Sequence, residues 1–342
     1  MESYSILQYQ LLDLWTMPRA QIGACRDRVV TTNLLCYTTM SAQNLDGEVS
    51  VTNVLLTGFG PSSSGEENPS WLAVKPLHKV VTPLDPHPVV IDGQVIMRET
   101  TEKQRLVQIS ALEIPMDYDA VLELVSGLHL RPPQLPDSVK DDFFPIPPDK
   151  GYDFIFHVGV AGRGPLRMEK MGHKLGYFMK DAYGKLAPTV RTAELDYGAR
   201  PETDVSIGET FNRELGFDMV ESTAAGDTFT ARPNRGFGVG YEKFPEEIFT
   251  DIDVSRLVHD LKRSGIEQIY TSMDAGHYLS DFVYYCSLAE SKRNRKPYEK
   301  GTTQVLFMHC PPVGRPLSTE EVTDAIQRII VWVCGELSEL QE

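Results

Sequence analysis

Four short apolar runs constrain this chain more than any other feature. They lie at residues 54–56, 154–158, 266–272 and 305–309, and three of them are nearly continuous in Val, Ile, Leu, Phe or Met. A strand that is apolar on successive residues has both faces covered. Each run ends in Gly, Pro or small polar residues, as at Thr57-Gly58-Phe59-Gly60-Pro61 and Gly159-Val160-Ala161-Gly162. Between the runs lie segments with helical period. Residues 117–128 place Val121, Leu122 and Val125 on one face, and residues 253–264 place Leu257, Val258 and Leu261 in phase before Gly265. Ser318 and Glu321 form a capping box ahead of a helix whose stripe is Val322, Ala325, Ile326, Ile329, Ile330 and Val333. Strands that alternate with helices predict a three-layer α/β sandwich, a mostly parallel twisted sheet with helices on both faces. The runs at 154–158, 266–272 and 305–309 are expected to lie side by side and parallel. Function in such sheets gathers beyond the carboxyl ends of the strands.

The chain is read as one elaborated domain over 51–336. Residues 1–50 are expected to be a disordered or loosely packed extension, and 337–342 a tail. Residues 131–150, with six prolines, and 186–240, rich in Gly, Thr and charge, read as insertions. The 33 basic and 48 acidic residues give a net charge of −15. That field repels phosphate, so neither nucleic acid nor an anionic membrane is an expected partner. The five basic residues within 291–300 read as a solvated loop. No run reaches the length of a membrane span. Five widely spaced cysteines make no disulfide framework and suit a reducing, cytoplasmic setting.

Familiar catalytic motifs are missing. There is no H-E-x-x-H, Walker loop, G-x-G-x-x-G or G-x-S-x-G, and the eight histidines show no metal-ligand spacing. No metal and no cofactor are expected. Polar residues collect instead at strand ends: Gly159 to Arg163 with Glu169, then Asp274 to Asp281, then His309-Cys310-Pro311. Glu169, Ser280 and His309 can converge there.

These same residues carry a resemblance. Leu56-Thr57-Gly58-Phe59-Gly60-Pro61 with Glu67-Asn68-Pro69-Ser70-Trp71-Leu72-Ala73-Val74-Lys75 is similar to the opening signature of pyroglutamyl peptidase I. Gly159 to Arg163 with Glu169, the Ala275-Gly276 turn, and Phe307-Met308-His309-Cys310-Pro311 resemble its later motifs in the same order. The resemblance covers roughly residues 52 to 333 and implies the fold above. It implies a cytosolic cysteine peptidase that removes N-terminal pyroglutamate, acts on N-terminally blocked peptides, and often self-associates as a homo-oligomer. Its Glu and His fall on Glu169 and His309, and its nucleophilic Cys falls on Ser280. Of two phenylalanines that hold the pyroglutamyl ring, one is Phe59 and the other falls on Ser62. A site glutamine falls on Val160, and a site arginine has no counterpart in residues 177–184. His277 replaces a small polar residue beside the nucleophile turn. Cys286 and Cys310 are expected in the core.

Two functions follow from the resemblance. One is a hydrolase with Ser280 as nucleophile, which needs His309 to take its proton because a serine hydroxyl is far less acidic than a thiol. The other is a catalytically inactive relative that binds peptides or a protein.

Overall fold

A computed structural model describes residues 49–61, 65–84, 89–91, 94–96, 104–137, 147–190, 234–293 and 302–339. Most of the expected extension, residues 138–146 of the first insertion and 191–233 of the second lie outside the described residues, as does Ser62.

The central strand β1 (Val49–Phe59) runs parallel to β5 (Gln104–Ile114) on one side and β6 (Phe154–Val160) on the other. Next to β6 lies β11 (Gln304–Cys310), also parallel. These four strands are the apolar centre of the sheet. Leu55, Leu56, Phe154, Ile155 and Phe156 are fully buried on alternate faces, as continuous apolar strands require. Three short strands complete it and reverse direction. β2 (Val81–Pro83) pairs antiparallel with β5, and β7 (Leu166–Glu169) pairs antiparallel with β11. β10 (Ile269–Ser272) pairs parallel with β7. The order is β10-β7-β11-β6-β1-β5-β2.

The expected neighbourhood of 266–272 and 305–309 is therefore corrected. β7 stands between them, and β10 runs opposite to β11. The expected strand also starts late. Ile266 donates to Leu261 O and Gly265 to Lys262 O, so these residues close the preceding helix, with Gly265 at φ 98°.

Helices cover both faces. α1 (Pro69–Val74), capped by Asn68, packs with α3 (Val254–Arg263) and α5 (Thr319–Glu339) over one face. The capping box of α5 forms as expected, Glu321 N donating to Ser318 Oγ at 3.2 Å and Ser318 N to Glu321 Oε2 at 2.9 Å. On the other face lie α2 (Tyr118–Leu128) and α4 (Leu279–Arg293). α4 is buried all round from Asp281 to Glu290, because a two-stranded sheet of β8 (Met171–His173) and β9 (Glu247–Phe249) packs against it as well. A further hairpin pairs β3 (Val89–Ile91) with β4 (Gln94–Ile96). No helix among the described residues is long and apolar enough to cross a membrane.

Candidate active site

Strand alternation places the site. On β11, Leu306, Met308 and Cys310 join the core under α1, α3 and α5, so Phe307 and His309 face α4. On β7, Leu166 and Met168 join the first core, so Glu169 shares the α4 face. The antiparallel register sets Glu169 opposite Phe307, one step from His309. Their side chains meet at 2.7 Å, Glu169 Oε1 to His309 Nδ1. Glu169 is fully buried and His309 is 6% exposed. A buried carboxylate on Nδ1 fixes the tautomer with the proton there and leaves Nε2 as the basic nitrogen. Tyr284 Oη, from α4, donates to the Glu169 carbonyl at 2.9 Å and ties the strand to the helix.

The parallel register pairs His309 with Gly159 on β6. Two residues beyond the Thr57–His157 pair, β1 brings Phe59 to the same level. Phe59, Gly159 and His309 thus form a row across three strands, on one face, with a gap in the middle. Ser280, in the first turn of α4, fills that gap. A Cβ on Gly159 would stand 2.7 Å from Ser280 Oγ and 2.8 Å from the Phe307 ring, so only glycine fits. Among the described residues, no hydrogen bond joins Ser280 Oγ to His309. The opening amides of α4 have no helical acceptor, and the positive end of its dipole lies beside Ser280.

The remaining sequence-derived residues divide. Phe59 is buried with the α2 and α4 core, its own amide accepted by Ser70 Oγ at 3.0 Å. Val160 follows Gly159, so its side chain packs on the opposite face against the first core. It can face the site through its backbone only. His277 sits one turn before Asp281 with φ 45°, a left-handed value that histidine tolerates better than most residues. Cys286 and Cys310 are core residues, and burial pushes both thiols up to about 12. Neither thiol supplies a thiolate. Sequence reasoning passed over Gly159 as the seat of the serine. The signal was present, a glycine at the register position beside His309.

No protein-family model matches the chain. Curated relatives do. Pyroglutamyl-peptidase 1 of Rattus norvegicus and of Mus musculus are each 25% identical over 291 residues, covering 84% of this chain and 92% of theirs. The Homo sapiens protein is 25% identical over 280 residues, covering 81% and 87%. Among solved structures, a variant pyrrolidone carboxyl peptidase from Pyrococcus furiosus is similar at 19% identity and a TM-score of 0.49, covering 84% of this chain and 100% of that one. The chain is thus similar, over most of its length, to the pyroglutamyl-peptidase 1 proteins, as a divergent relative at 25% identity.

Proposed function

We propose that the chain is a hydrolase that removes a pyroglutamyl, or related blocked, residue from the N-terminus of a peptide. Ser280 is the nucleophile, His309 the general base and acid, and Glu169 orients the imidazole. One observation carries this reading: the buried 2.7 Å pair of Glu169 and His309 stands beside the Gly159 gap that Ser280 Oγ occupies.

The chemistry follows from those positions. His309 Nε2 takes the Ser280 proton as Oγ bonds to the carbonyl carbon of the blocked residue. The carbonyl π electrons move onto oxygen, and the free amides at the start of α4 stabilise that charge. The tetrahedral carbon then expels the peptide amine, which receives the proton from His309. An ester on Ser280 remains, and water cleaves it by the same steps. The serine hydroxyl turns toward His309 when substrate enters. Phe59, the backbone at Val160, and His277 line the blocked residue. The setting is cytoplasmic and reducing, which suits the buried free thiols of Cys286, Cys310 and Cys334.

A pyroglutamyl-coumarin substrate tests this. The wild type should release coumarin, and Ser280→Ala should lower the rate by about 10³-fold or more. Equal rates for the two proteins would exclude the reading.

The missing Ser280–His309 hydrogen bond favours a second reading, a non-catalytic peptide-binding relative. It predicts no turnover, with blocked peptides raising the melting temperature. Robust hydrolysis that His309→Ala abolishes would rule it out.

A further inference from the structure

Beside Ser280, at the start of α4, lies a second cluster, two of whose three members, His173 and Asp281, have no part in the proposed hydrolase chemistry. Asp281 is fully buried, yet its Oδ2 is shared by two imidazoles. His173 Nδ1, from the end of β8, lies 3.0 Å away, and His277 Nδ1 lies 3.6 Å away. One potential ligand atom from each residue falls within 4.8 Å of the others. The two rings are tilted against each other with centroids 4.5 Å apart. We propose that His173, His277 and Asp281 bind one divalent transition-metal cation of the zinc or cobalt class.

The donor set selects that class. Two imidazoles and one carboxylate suit zinc, cobalt, nickel or iron(II), whereas calcium and magnesium demand mostly oxygen. Tetrahedral ligands about 2 Å from a metal stand roughly 3.3 Å apart, within the span of the present contacts. Small ring rotations bring all three donors to bonding distance.

The surroundings are those of a positioned ligand set. The other oxygen of Asp281, Oδ1, accepts the His173 amide at 3.0 Å, which fixes the carboxylate plane. The His173 carbonyl in turn accepts from Tyr177 Oη. His277 Nδ1 also lies 3.1 Å from the Leu175 carbonyl, a contact it gives up when that nitrogen takes the cation. The bonds to Asp281 Oδ1 and to the His173 carbonyl hold these two ligands in place. Access is asymmetric, since the side chain of Asp281 is sealed, that of His173 is 15% exposed and that of His277 is 36% exposed. A cation enters past His277 and keeps water in its fourth position.

The test needs no peptidase activity and is independent of the hydrolase reading. Metal-stripped protein is titrated with Co²⁺, followed by visible absorption, and with Zn²⁺, followed by calorimetry and melting temperature. One equivalent should bind, with cobalt bands typical of a low-coordinate nitrogen–oxygen site. His277→Asn keeps a residue that accepts positive φ and removes the imidazole. It should weaken binding at least about a hundredfold, more than losing a contact that only orients a ligand does. His173→Ala should do the same, and neither variant should gain melting temperature from Zn²⁺. Circular dichroism establishes that both variants are folded. Absence of a saturable one-equivalent site, or equal affinity in folded His277→Asn, overturns the proposal.

Discussion

His157 and His309 stand on neighbouring strands, on the same face of the sheet, one rung apart, yet the fold treats them oppositely. His157, the deeper one, is fully buried and receives a hydroxyl, Thr57 Oγ1 at 2.7 Å from its Nδ1. His309, at the rim, receives the Glu169 carboxylate at the same distance. A hydroxyl gives a buried imidazole no charge to balance a proton, and burial, with His129 nearby, pushes His157 down to about 3. His129 repeats the pattern on the helical layer, bonded to Ser287 Oγ at 2.8 Å and pushed to about 3 by burial and then by Arg131. The interior histidines are neutral spacers. The rim histidine is bonded to a carboxylate instead. Partner chemistry, more than depth, separates the two histidines.

Substitutions at the two partners separate the two roles most sharply. Glu169→Gln should lower kcat/KM for a pyroglutamyl substrate by about 10³–10⁴-fold, because the amide no longer balances imidazolium. Thr57→Val should leave that constant within severalfold. It should instead cost about 1–3 kcal/mol in urea unfolding, through an unpaired buried nitrogen. Equal kinetic losses in both variants would erase the distinction.

Acid is the next lever. An unfolded histidine binds a proton near pH 6.5, whereas folded His129 and His157 do so only near 3. Stability must therefore fall as pH drops below 6.5, by up to about 1.4 kcal/mol per unit for each ring. Denaturant melts between pH 7 and 4 should show this slope, and His157→Gln should reduce it. An unchanged slope would mean that the ring is not held neutral.

Filling the gap in the row comes third. Gly159→Ala should cost about 1–3 kcal/mol from overpacking against Ser280 and Phe307. It should also push the serine away from His309, so activity falls more than stability accounts for.

The smallest effect concerns His173. Burial lowers its pKa, but the Asp281 hydrogen bond and charge, with Asp274 and Glu247, outweigh this and leave it raised. Its stabilisation is complete below pH 6.5 and fades as pH rises through the raised value. His173→Gln should accordingly destabilise the protein more at pH 6 than at pH 8.5.

Much of this arrangement was legible in the sequence, and the reasons are physical. β1, β6 and β11 are long and apolar on both faces, so each announced itself without its neighbours. The caps at Ser318 and Gly265 are local chemistry. β7 was not legible. It is four residues long, and its Leu-Arg-Met-Glu alternation has meaning only once β11 lies beside it. Glu169 and His309 were brought together by family motifs rather than by pattern. His173 and Asp281 are 108 residues apart and share no motif. Only His277 and Asp281, four apart at a helix start, left a trace, one too short to distinguish from chance.

One short stretch has a consequence of its own. Glu169 ends β7 and His173 ends β8, four positions later, and the chain between them is pinned at Lys170 by Ser272 O and Thr250 N. Ser280 and Asp281 are likewise consecutive on α4. The two imidazole–carboxylate clusters are thus mounted on the same two rigid pieces, like two gauges on one beam. Perturbing either should register at the other, so the free energies of paired substitutions at Glu169 and His173 should depart from additivity.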